Sequence, residues 1–308
     1  MKTRIFEDVY NNVIQKFISD SVCNFDDILQ LAHEMQKNEL DTHIIIAGQN
    51  GMGKSYLLLY LMFLFYKKHS IKKISQSELN KIIIENLMLA KHTTNDLVLY
   101  MLQKEKTMCG VDEYNQYLYY KQHAESLQSH LITQLELARS KQIIFIGCIR
   151  DPRKLSYNYR NGKMSIVIWI LDRYQEGGGY AAVFIANPSV EAEDRFGFSL
   201  LPEYLTDFDV LKYSMEKLPS FVGFVKIPNL TNILPQSLVD LYKSEKRIAM
   251  AYAHINKNIE LLKRGKILKD ELVYNIQMVK NIIPDIEQYV SIRISSTPNY
   301  KKLTEYQE

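Results

Sequence analysis

Gly48-Gln49-Asn50-Gly51-Met52-Gly53-Lys54-Ser55 reads G-x-x-x-x-G-K-S, a spacing suited to cradling phosphate. Its glycines let the backbone turn tightly, so that successive N–H groups point inward at an anion. Lys54 supplies a cation for the β- and γ-phosphates, and the Ser55 hydroxyl supplies an oxygen for Mg²⁺. Gly48, Gln49, Asn50, Gly51, Met52, Gly53, Lys54, Ser55 and Tyr56 are therefore the expected nucleotide-binding residues. The flanks agree with this reading. The run His43-Ile44-Ile45-Ile46-Ala47 reads as a buried strand, and residues 56–66 are apolar helix formers, so a helix N-terminus adds partial positive charge to the loop.

Hydrolysing a bound nucleotide needs a metal-side carboxylate and a base for the attacking water. Val111-Asp112-Glu113 ends a short apolar stretch at 107–111. Asp112 is the expected metal ligand beside Ser55, and Glu113 the expected general base. Both acids are expected on a strand adjacent to that of the phosphate loop. The same pair could instead cap the following helix. Transition-state charge calls for a cation, and Arg139, Arg150, Arg153, Arg160 and Arg173 are the candidates. Arg150 is preferred as a catalytic residue beside Lys54 and Glu113, because it follows a central strand, where open α/β sheets bind ligands. Arg160 reads as part of a turn opening the next strand.

Those residues need a scaffold. Apolar spacing predicts helices over 5–38, with Asp26 and Asp27 as caps for the second of them, and over 82–90, 96–104 and 126–140. Residues 142–149 read as the clearest buried strand. Segments 163–172 and 179–186 read as a hairpin about Glu176-Gly177-Gly178-Gly179. Long helices are expected over 238–262 and 270–281, with Gly265 as a stop. This order predicts an α/β fold: a mainly parallel sheet flanked by helices, a β-hairpin edge and a helical C-terminal subdomain. The expected division is an N-terminal helical layer (1–40), a nucleotide-binding core (41–227) and the C-terminal subdomain (228–308).

The 308 residues allow one large domain or two small ones, and a net charge of +3 does not by itself point to any partner. Cys23, Cys109 and Cys148 lack metal-ligand spacing and read as reduced thiols of a cytoplasmic protein. Acidic Glu7 and Asp8 close behind the N-terminus argue against a signal peptide. The 56–66 run falls short of the roughly 20 residues a membrane span needs.

The layout resembles the FtsK–HerA superfamily of pumping P-loop ATPases, particularly small archaeal, viral and plasmid members and zonular-occludens-toxin-like phage assembly ATPases. The resemblance rests on the 48–55 loop, Asp112-Glu113, Ala138-Arg139, the 143–146 strand followed by Arg150-Asp151-Pro152, and the hairpin, over roughly residues 40–190. It implies a Mg²⁺-dependent ATPase that forms a homo-oligomeric ring, a hexamer if a motor, and moves DNA or sometimes protein. Many members place a glutamine before the strand-end arginine. Here that place holds Ile149, with Cys148 before it, so sensing of the γ-phosphate would fall to Arg150 or Asn158.

A mild basic excess over 243–302 is compatible with a DNA backbone surface or with solvated helix faces. Tyr114, Tyr117, Tyr119 and Tyr120 could stack on bases or fill a core. An ATP-dependent adaptor or loader is the alternative to a motor, and the missing glutamine favours it. A small-molecule kinase is disfavoured, because no acceptor-substrate motif is present.

Overall fold

A computed structural model describes residues 24–40, 42–69, 74–92, 94–113, 135, 139–173, 178–186, 194–201 and 214–295. In chain order these form α1 (Phe25–Lys37), β1 (His43–Ala47), α2 (Lys54–His69), α3 (Gln76–Glu85), β2 (Leu87–Met88), α4 (Thr94–Gln103), β3 (Met108–Val111) and β4 (Ile144–Ile149). There follow α5 (Tyr157–Gly162), β5 (Ile166–Arg173), β6 (Gly179–Ile185), β7 (Phe221–Ile227), α6 (Leu230–Ile233), α7 (Gln236–Lys263), α8 (Lys269–Val279) and α9 (Ile286–Ser295). The expected helix over 5–23, most of that over 126–140, and the Tyr114–Tyr120 aromatics lie outside the described residues.

One sheet of seven strands, in the order β2-β3-β4-β1-β5-β6-β7, organises the fold. β1 pairs in parallel with β4 on one side and β5 on the other, while β6 and β7 extend the edge antiparallel. Every residue of β1, β3 and β4 is buried, as β-branched strands covered on both faces should be. α2 buries Leu57, Leu58, Leu59, Leu61, Met62, Phe63 and Phe65, the pattern of a helix apolar on nearly every side. The α/β class, the parallel core and the hairpin edge agree with the sequence reading.

The order of strands corrects one expectation. β3, which carries Asp112-Glu113, is not adjacent to β1. β4 lies between them, pairing Ile44 with Ile146 on one side and Gly110 with Ile146 on the other. Hydrophobic runs identify strands but do not say which crossover inserts one between two others. The predicted 82–90 helix is also displaced. α3 begins at Gln76, where Ser75 and Glu78 form a reciprocal cap: Ser75 N–H donates to Glu78 Oε2 at 2.8 Å and Glu78 N–H to Ser75 Oγ at 3.3 Å. It stops at Glu85, and Leu87–Met88 joins the sheet beside β3. At α1 the cap is Asn24, whose Oδ1 accepts from Asp27 N–H at 2.9 Å, and not Asp26 or Asp27. Arg160 belongs to α5 and not to a turn.

Gly110, within β3, has a packing role. A Cβ there would collide with Met62 Sδ of α2 and stand 2.9 Å from Leu87 Cδ1. Gly110→Ala is therefore expected to destabilise the protein by about 1–3 kcal/mol, read as a lowered denaturant midpoint.

The described residues divide into two compact units: one within 24–88 and 94–239, the other 89–92 with 240–295. The division falls inside α7, some residues past the expected boundary near Ile227-Pro228. One core cluster of the first unit includes Ile45, Val111, Phe145, Val167, Trp169 and Phe184. The second has its own cluster of Ala251, Ile255, Ile259, Leu272, Val279, Ile283, Ile286 and Val290. Among the described residues no helix is long and apolar enough to cross a membrane.

His43 carries a pH dependence into the core. Its ring is buried, stacks on Phe145 with centroids 5.1 Å apart, and has Nδ1 2.9 Å from the Tyr159 hydroxyl. Burial, reinforced by the charge of Lys163, pushes its pKa down to about 3 from 6.5. The unfolded chain therefore binds the proton that the folded chain refuses. Stability is full above about pH 6.5 and falls as pH drops toward about 3, by roughly 2 kcal/mol at pH 5. His69, held down to about 4 by burial and then by His33, adds in the same direction. Urea midpoints at pH 7.5 and pH 5 should show the loss, and His43→Gln should reduce it.

Candidate active site

The loop after β1 adopts the backbone its glycines permit. Gly51 and Gly53 have φ of 83° and 82°, the left-handed region that side chains disfavour. At Gly48 the reason for glycine is space, since a Cβ would stand 3.2 Å from both the Cβ and the carbonyl oxygen of Ile170 on β5. Met52 N–H reaches back to the Gln49 carbonyl at 3.4 Å, and Leu57 N–H donates to Gly53 at 3.0 Å as α2 begins. Lys54 opens that helix, and its Nζ donates to the carbonyls of Gly48 and Gln49 at 2.8 Å each. The ammonium thus lies across the mouth of the loop, where an incoming phosphate would meet it.

Several of the groups named from sequence act on the charge of Lys54. Burial lowers its pKa; the Glu113 and Asp112 carboxylates oppose this, while Arg150 acts with burial. Each of those side chains is therefore within electrostatic range of the ammonium. Asp112 is 3% exposed, and its backbone N–H is fixed to the Met88 carbonyl at 3.0 Å. Glu113, one residue on, is exposed. This split suits their expected roles, because a metal ligand benefits from a fixed carboxylate and a base must reach water. Arg150 is exposed, and its carbonyl accepts from Gly48 N–H at 3.2 Å, tying the end of β4 to the start of the loop.

The remaining arginines separate by geometry. Arg153 forks onto Asp151, Nε at 3.0 Å and 3.1 Å and Nη2 at 2.9 Å, within the short turn after β4. Arg139 is exposed at the end of the stretch before β4, and Arg160 sits on α5. Arg173, at the end of β5, donates from Nη1 to the Gly51 carbonyl at 2.9 Å. Sequence reasoning had set it among the candidates without preference.

Among the described residues no group of three or more His, Cys, Asp and Glu is placed to hold a metal. The oxygens expected to serve a metal are the Ser55 hydroxyl and the Asp112 carboxylate. Such hard oxygens, completed by phosphate and water, fit Mg²⁺ better than a thiolate- or imidazole-seeking metal. Cys109 and Cys148 are buried and form no disulfide. Burial raises the Cys109 thiol far above its usual range and makes it inert. In the second unit, Lys243, Lys246, Arg247, Met250 and Ile282 are among the residues lining a shallow cleft of about 460 Å³.

No protein-family model matches the chain, and no curated protein matches it. Among solved structures it is similar to the N-terminal domain of zonular occludens toxin from Neisseria meningitidis, at 13% identity and a TM-score of 0.34, covering 50% of this chain and 86% of that one. It is also similar to the genome packaging NTPase of Sulfolobus turreted icosahedral virus 2 in complex with ATP-gammaS, at 13% identity and a TM-score of 0.33, covering 49% of this chain and 94% of that one. The DNA-packaging ATPase of Sulfolobus turreted icosahedral virus matches at 14% identity and the same TM-score, over 49% and 95%. At such identities and scores these likenesses carry no weight in assigning chemistry, which rests on the residues of this chain.

Proposed function

We propose that this protein is a Mg²⁺-dependent ATPase. The observation that carries the reading is the glycine loop between β1 and α2, with the Lys54 ammonium bonded at 2.8 Å to the Gly48 and Gln49 carbonyls across its mouth. Loop amides and Lys54 hold the triphosphate, and the α2 N-terminus adds its dipole. Ser55 and Asp112 would hold Mg²⁺, which would supply positive charge to offset that of the phosphate oxygens. Glu113 takes the proton of the attacking water. Arg150 stabilises charge on the leaving and transferring phosphates.

The further reading is a DNA motor, acting as a homo-oligomeric ring. It rests on the resemblance of residues 40–190 to pumping ATPases and on the basic excess toward the C-terminus. ATP turnover stimulated by double-stranded DNA, and lost with Lys54→Ala, is the expected result. Turnover indifferent to every nucleic acid would leave the ATPase standing and remove the motor. A second reading is an adaptor whose nucleotide state gates a partner. It is favoured by Cys148 and Ile149, which offer no amide near Lys54 at the end of β4. In an adaptor, Glu113→Gln would leave partner binding intact.

A further inference from the structure

We infer that Arg173 is a positioning residue for the phosphate loop, acting through the Gly51 carbonyl; this rests on the nucleotide-binding reading above. β5 runs parallel to β1 in the register Ile44–Ile166 to Ala47–Trp169, so it continues past the end of β1 and alongside the loop. Ile170 fills the space beneath Gly48, and Arg173 reaches the loop apex. The register against β6 shifts between Ile170 and Asp172, an irregularity of the kind that re-aims side chains at the end of a strand. The Arg173 backbone is itself held, its N–H donating to Asp172 Oδ1 at 2.7 Å.

The bond to Gly51 has a consequence for the next residue. A trans peptide places its C=O and N–H on opposite sides. With the Gly51 carbonyl drawn outward by the guanidinium, the Met52 N–H of the same peptide is turned the other way, into the loop. Its contact there is the long 3.4 Å approach to the Gln49 carbonyl, so it is readily surrendered to a stronger acceptor. Gly51, with φ of 83°, is the residue whose backbone most needs such restraint, because glycine also populates the alternative conformations. Arg173 thus sets one donor of the cradle in advance, lowering the ordering cost of binding.

The test compares the full chain with Arg173→Ala and Arg173→Lys. Affinity is read with a fluorescent, non-hydrolysable ATP analogue, and melting temperature without nucleotide. Arg173 is exposed, so neither variant should melt differently. Arg173→Ala should bind the analogue about three- to tenfold more weakly, and Arg173→Lys, which keeps a charged donor for the carbonyl, should recover most of the loss. Unchanged affinity in Arg173→Ala overturns the inference, as does a loss matched by a lower melting temperature or one not recovered by lysine. Failure of the parent chain to bind the analogue overturns the nucleotide reading beneath it.

Discussion

Lys54→Ala is expected to reduce ATP turnover by about a hundredfold or more in kcat/KM. Its ammonium is the cation at the loop mouth, bonded at 2.8 Å to two loop carbonyls. Removing it leaves those carbonyls facing the phosphates with nothing to offset their partial negative charge. Binding of nucleotide should weaken as well, because this interaction exists in both ground state and transition state. A phosphate-release assay and a binding titration on the same preparation separate the two losses. Retained turnover would mean that the chemistry happens elsewhere.

Glu113→Gln is expected to behave differently. The amide keeps the size and hydrogen-bonding reach of the carboxylate but cannot accept the proton of water. Turnover should fall by roughly 10²–10⁴, the contribution of a general base, while ATP affinity holds. The variant should therefore accumulate bound, uncleaved ATP, measurable by quenching after a single mixing and counting nucleotide on the protein. Asp112→Asn should instead raise the Mg²⁺ concentration needed for activity, since Asp112 is the buried, backbone-fixed partner. Equal effects from both substitutions would deny the division of labour between the two acids.

The loop was legible because its chemistry is local. Gly51 and Gly53 take the backbone angles that their spacing implied, and β1 and α2 follow from uninterrupted apolar runs on either side. The placement of Asp112-Glu113 at the end of a strand was legible for the same reason. That β4 separates this strand from β1 was not, because pairing depends on contacts distant in sequence. β2 escaped notice at two residues, too short for any periodicity. β7 escaped because Phe221, Val222, Gly223 and Phe224 are only half-buried and interrupted by glycine. The α3 start could have been read from Ser75 and Glu78 at capping-box spacing, a signal present in the sequence but set against a run of polar residues. The contact of Arg173 with Gly51 was beyond sequence reasoning, since it requires the register of β5 against β1.

The central claim is that one triphosphate, held ahead of Lys54, shares a metal ion with Ser55 and Asp112. Electron paramagnetic resonance with Mn²⁺ in place of Mg²⁺ addresses it most directly. One Mn²⁺ per chain should bind tightly only when a non-hydrolysable ATP analogue is present, show hyperfine coupling to phosphorus, and be lost in Ser55→Ala and Asp112→Asn. Mn²⁺ that binds without nucleotide, or keeps its phosphorus coupling unchanged in both variants, would contradict it.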